Sequence, residues 1–119
     1  METSSNTESS ARASFGKAIP GLAGCSGLIG VEVQGQIVKV LRVDDGRVDL
    51  SPQTGQEMDA VVVCRSEEDF WKIVAGEVDS IVAGLRGRLA IRGHDLTLAM
   101  KVLRGLETNA HQRASGKET

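Results

Sequence analysis

At 119 residues the chain is long enough to bury one hydrophobic core but has no room for a second. Its 40% apolar and 25% charged residues are those of an ordinary globular domain, which excludes a fibre. A formal net charge of −2 and only three aromatic side chains, Phe15, Phe70 and Trp71, disfavour nucleic acid as a partner.

From Met1 to Ser14 the sequence is mostly Ser, Thr, Glu and Asn, lacking the basic start and apolar stretch of a secretory signal. Residues 1–14 are therefore expected as a disordered tail on a cytoplasmic protein. Phe15 to Leu22 can form one or two helical turns before Pro20-Gly21 ends them. From Leu28 the pattern becomes β. Val31 and Val33 alternate with Glu32 and Gln34, Gln34-Gly35 turns, and Ile37 to Val43 forms a second strand. Asp44-Asp45-Gly46 reads as a hairpin turn, because Asp and Gly accept the positive φ that tight turns demand, and Val48 and Leu50 resume the alternation.

A polar loop from Ser51 to Met58 leads into a strand over Asp59 to Cys64. That strand contains the longest apolar run, Ala60 to Cys64, far short of the roughly 20 residues a bilayer helix needs. Ser66-Glu67-Glu68-Asp69 is a helix start, with a capping hydroxyl and acids where the helix dipole favours them. The helix is expected from about Glu67 to Ala75, with Gly76 at its left-handed C-terminal position. A short helix from about Asp79 to Leu85 is expected to bury Ile81, Val82 and Leu85. In the strand Gly87 to Gly93, Leu89 and Ile91 face one way and Arg88, Ala90 and Arg92 the other.

The last helix, Leu96 to Leu106, has more apolar surface than one packing stripe requires. Leu96, Ala99, Met100, Leu103 and Leu106 follow helical spacing, and Leu98 and Val102 add a second apolar edge. Such a helix must be covered by protein, a partner or a ligand. It either completes the core or forms part of a lipid-binding module. Residues 107–119 are expected as a second disordered tail.

Charge is unevenly distributed. Residues 44–79 hold ten acidic side chains against three basic, and residues 86–113 hold six basic against two acidic. The field of such a dipolar molecule can steer an anionic headgroup towards Arg86, Arg88, Arg92, Lys101 and Arg104, although charges in these positions also serve as the wet side of strands and helices.

Catalytic and metal-binding patterns are thin. Two cysteines, Cys25 and Cys64, outside any Cys-x-x-Cys pair, read as structural thiols. His94 and Asp95 adjoin at the start of the last helix, where either caps it, and His111 lies in the polar tail, so no nucleophilic or metal constellation forms. The expectation is a protein that is not an enzyme and has no cofactor.

Several segments resemble the sterol carrier protein type 2 (SCP-2) lipid-binding domain family: Gly76-Glu77-Val78-Asp79, Leu85 through Gly93, and Leu98-Ala99-Met100-Lys101-Val102-Leu103, in that order and spacing. Upstream, Asp44-Asp45-Gly46-Arg47-Val48, Asp59 to Val63 and the helix start from Ser66 to Ile73 are similar to that family's middle strands and following helix. The resemblance spans about residues 28–106 and sets the expected domain at 15–106. It implies an α+β fold, a five-stranded, mostly antiparallel or mixed sheet with helices packed on one face, enclosing an apolar tunnel. It also implies a non-catalytic carrier of a fatty acid, acyl-CoA, sterol or phospholipid. By matching position, Trp71, Val74, Ile81, Val82, Leu85, Met100 and Leu103 are the expected tunnel residues. The family's long leading helix is shortened here to Phe15 to Leu22, so the cavity is expected to be more open or closed by a partner chain. The family's peroxisomal C-terminal signal is missing, which points to a bacterial-type cytoplasmic protein. The alternative is a small interaction module that docks the same apolar helix onto an enzyme or onto its own copy. Transient contact with a membrane surface is compatible with either.

Overall fold

The computed structural model describes residues 2–51 and 57–114. The element order is α1 (Glu2–Arg12), β1 (Gly27–Val33), β2 (Gln36–Asp44), β3 (Arg47–Ser51), β4 (Ala60–Cys64), α2 (Glu67–Val74), α3 (Ser80–Leu85), β5 (Leu89–Gly93) and α4 (Leu96–Ala114). The five strands form one mixed sheet in the order β3-β2-β1-β4-β5. Only β1 and β4 run parallel; the other neighbours are antiparallel.

Two tight turns set the β1-β2-β3 meander. Gln34 and Gly35, then Asp45 and Gly46, have positive φ at both central positions, the geometry whose twist matches antiparallel strands. At Gly46 nothing larger fits, since a Cβ would lie 2.8 Å from the Leu22 carbonyl oxygen. The register places Ile29, Leu41, Ala60 and Val62 on one face of the sheet, where Phe70, Ile73, Val74, Ala99, Val102, Leu103 and Leu106 join them in the core. Leu89 and Ile91 of β5 lie on this face, opposite Cys64 and Val62.

Helix α2 starts as the capping pattern requires, with Ser66 Oγ accepting the Asp69 amide at 3.1 Å, and Gly76 beyond its end has φ +80°. Helix α4 is capped by Asp95, whose carboxylate accepts the Leu98 amide at 3.0 Å.

Three expectations are corrected. The segment 2–12, expected as a tail, is helix α1, packed on α2 through buried Thr7 and Ala11. Its stability comes from tertiary contact and not from an apolar stripe: Thr7 Oγ1 donates to the Glu77 carboxylate at 3.2 Å, and Arg12 pairs with Glu8 and lies over the Trp71 ring. Phe15 to Leu22 is not helical. Gly16 donates to the Val48 carbonyl and Ile19 to the Gly46 carbonyl, so this stretch lies against the outer edge of β3 and satisfies backbone groups an edge strand leaves bare. Helix α4 continues past Leu106 to Ala114, because Glu107 and Ala110 are buried and His111 Nε2 hydrogen-bonds the Gly76 carbonyl at 2.8 Å. Residues 115–119, the rest of the expected C-terminal tail, lie outside the described residues.

Candidate functional site

Helix α3 is only six residues long and carries its apolar side chains outward. Its buried residues are Ser80 and Ala83, whereas Ile81, Val82 and Leu85, expected inside, are exposed. The reason is the anchoring of its first turn. Asp79 caps it by accepting the Ile81 and Val82 amides at 2.8 and 3.2 Å, and the Ser80 amide donates to Glu107 Oε2 of α4 at 2.7 Å. Arg104 Nη1 spans both elements, at 3.0 Å from Glu107 and 3.4 Å from Asp79. Turning Ser80 towards α4 leaves the following apolar residues on the outer side.

Between α3, the edge strand β5 and α4 lies a groove of about 330 Å³ lined by Ser80, Ile81, Gly84, Leu85, Leu89, Ala90, Ile91 and Met100. That volume is at the lower end of the roughly 300–1,000 Å³ of small-molecule sites. Ile81 is 49% exposed, Leu85 83% and Met100 43%, although all three are large and apolar. Of the seven expected tunnel residues, the fold brings these three together. They line a groove open on one side rather than a tunnel.

The other four lie elsewhere. Trp71, Val74 and Leu103 are core residues. Trp71 has Phe70 and Phe15 edge-on at 5.1 and 6.5 Å and the cations of Arg12 and Lys39 over its ring at 4.9 and 5.3 Å, a packed hub beneath α1. Val82 turns to a separate, more polar cleft beside Glu77, Asp79 and Arg86. Leu89 and Ile91 were legible as dry-face residues, but only the strand order reveals that β5 is an edge and that its side chains can floor a groove.

The electrostatics of this region serve the scaffold. Burial pushes the Glu107 carboxyl above the usual glutamate range, against the hydrogen bonds from Ser80 and the charge of Arg104. Asp79 is held below the usual range by the Val82 amide first, with help from Ile81 and Arg104. Burial, with the Asp69 charge behind it, pushes the Cys64 thiol up to about 12, so this thiol is unreactive at neutral pH. His94 is exposed beside the α4 cap. Among the described residues no group of three or more His, Cys, Asp or Glu side chains could hold a metal ion, and no helix is long and apolar enough to cross a membrane.

The fold is shared with solved sterol carrier domains. The sterol carrier protein domain 2 of Helicoverpa armigera superposes with a TM-score of 0.55 at 19% identity, over 92% of this chain and 87% of that one. A ubiquinone synthesis protein, UbiJ-SCP2, gives 0.59 at 16% identity, over 90% and 95%. Palmitated SCP2L2 from Aedes aegypti gives 0.53 at 18% identity, over 89% and 93%. None of the curated proteins matches the chain by sequence. The model of the SCP-2 sterol transfer family, however, matches residues 12–107, from the end of α1 into the buried part of α4. The chain belongs to the SCP-2 sterol transfer family.

Proposed function

We propose that the protein is a non-catalytic lipid carrier that seats the apolar chain of a fatty acid, acyl-CoA, sterol or phospholipid in the groove between α3, β5 and α4. The observation that carries this reading is the convergence of Ile81, Leu85 and Met100, exposed from two helices over an apolar floor of Leu89 and Ile91. A soluble domain gains nothing from leaving three such side chains wet unless a ligand or partner covers them. Membership of a sterol transfer family supports the lipid. The palmitated state of the Aedes aegypti protein, which shares the fold, favours a fatty acyl chain.

Covering a C16 chain completely yields a gross gain on the order of 10 kcal/mol at about 0.8 kcal/mol per CH₂. An open groove covers part of that chain and association has its own cost, which leaves the reversible affinity a carrier requires. The test is displacement of a fluorescent fatty acid by palmitate, on the unaltered protein and on Ile81→Asp. Ile81 is half exposed, so the variant keeps its unfolding midpoint. Its affinity falls by about tenfold or more, because a charge in an apolar groove must be desolvated by the ligand. Equal uptake by both proteins would place the lipid elsewhere.

A further inference from the structure

The groove between α3, β5 and α4 is lined by no charged side chain. It can cover the chain of an amphiphile, but it offers the polar end no charged partner. Of the five cations late in the sequence, Arg88 is paired with Asp69, Arg92 with Glu32, and Arg104 with Asp79 and Glu107. Arg86 makes no ion pair among the described residues, but it lines the separate polar cleft together with Glu77 and Asp79. Lys101 differs from all four. It is exposed, makes no ion pair among the described residues, and follows Met100, which lines the groove.

Lys101 lines a second cleft, of about 380 Å³, between the segment Pro20-Gly21-Leu22 and the α4 residues Met100, Lys101 and Arg104. Two local features build it. Pro20 and Gly21 make a tight turn, closed by the Leu22 amide donating to the Ile19 carbonyl at 3.1 Å, with the positive φ of +89° that such a turn needs at glycine. Gly105 then lets Leu22 press onto α4, since a Cβ at that position would lie 3.0 Å from Leu22 Cγ. Buried Leu22 gives the cleft an apolar side, and the charged residues that line it, Lys101 and Arg104, are both cationic. Met100 lines this cleft and the groove alike, so the two adjoin across one side chain.

We infer that groove and cleft form one bipartite site in which Lys101 selects an anionic amphiphile, a carboxylate or phosphate on an apolar chain, over an uncharged one such as a sterol. The inference rests on the carrier reading and narrows its ligand class. The chain lies in the groove, crosses Met100, and brings its charged end to the Lys101 ammonium. Met100 is 43% exposed and unbranched, so it can shift to let a chain pass. Lys101 offers three donors on a flexible stem, which suits an oxyanion whose position varies with chain length. No internal ion pair has to break for it to do so. Arg104 adds positive field at the cleft but stays committed to Asp79 and Glu107, and so holds the wall rather than the ligand.

The experiment is displacement of an uncharged fluorescent alkyl probe by three ligands with the same chain, dodecanoate, dodecyl phosphate and dodecanol, from the unaltered protein, Lys101→Gln and Lys101→Arg. The unaltered protein binds at least one of the two anions about three- to fivefold more tightly than the alcohol, the range of an exposed ion pair, and the preference shrinks as salt rises. Which anion is preferred tells a carboxylate ligand from a phosphate one. Lys101→Gln binds dodecanol as the unaltered protein does and loses the preference, whereas Lys101→Arg keeps it. Dodecanol binding as tightly as both anions, or a preference that survives in Lys101→Gln, overturns the inference and leaves the carrier reading standing. A loss of dodecanol affinity in Lys101→Gln equal to the loss for the anions overturns it too, because the residue would then shape the site and not read the charge. Failure of the probe and all three ligands to bind the unaltered protein sinks the carrier reading, and this inference with it.

Discussion

Glu107 fixes one wall of the groove. It is buried, accepts the Ser80 amide from α3 and pairs with Arg104 on its own helix, so a single carboxyl positions the element that presents Ile81 and Leu85. Burial raises its pKa, which means the folded protein holds this proton more tightly than the unfolded chain does. Its contribution to stability is therefore full below the ordinary glutamate range and is lost as pH rises through the raised value. Glu107→Gln keeps an acceptor for Ser80 and removes the ionisation. The difference in unfolding midpoint between the unaltered protein and this variant should shift in favour of the unaltered protein as pH falls from neutral to about 4, the ordinary glutamate range. A difference that stays constant across that range would contradict the assignment. None of this was legible in the sequence, which reads Glu107 as the start of a polar tail. Ile81, Leu85 and Met100 were legible as surplus apolar surface. Val82 was not separable from them, because one step along a helix turns a side chain by about 100° into another cleft. Trp71, Val74 and Leu103 share the apolar character of the groove residues, and spacing alone cannot tell the inside of a wall from its lining.

The strands, α2 and the start of α4 follow from local signals: alternation, the Asp45-Gly46 turn, and the Ser66 and Asp95 caps. Helix α1 does not, because its one apolar residue is Ala11 and its place is set by α2, the element against which it packs most closely. That arrangement has a measurable consequence. A chain beginning at Ala13 loses Ala11, Thr7 and the Arg12 cation from the Trp71 hub, and should unfold at a lower denaturant concentration, with a loss of about 1–3 kcal/mol. Its tryptophan emission should move to the red, a clean signal because Trp71 is the only tryptophan. A dispensable tail would leave both unchanged. The 15–22 stretch shows the same principle in reverse: it has enough apolar residues for a helical turn, but the bare edge of β3 offers its backbone better partners.

Across the whole molecule, one side of the sheet is closed by α2 and α4, while α3, beside the β5 edge, leaves an apolar groove open. The sequence indicated that the last helix was too apolar for one packing stripe. The fold places the excess: Leu98, Ala99, Val102, Leu103, Leu106 and Ala110 enter the core, and Leu96 and Met100 remain outside it. Family membership and groove together make lipid carriage the central claim. The most direct test is an amide ¹H–¹⁵N spectrum of the full chain titrated with palmitate. The account predicts shifts that saturate and cluster at residues 80–85, 89–91 and 96–100, with Trp71 and Val74 little affected. Shifts centred on the Trp71 hub, or a spectrum that palmitate leaves unchanged, would contradict it.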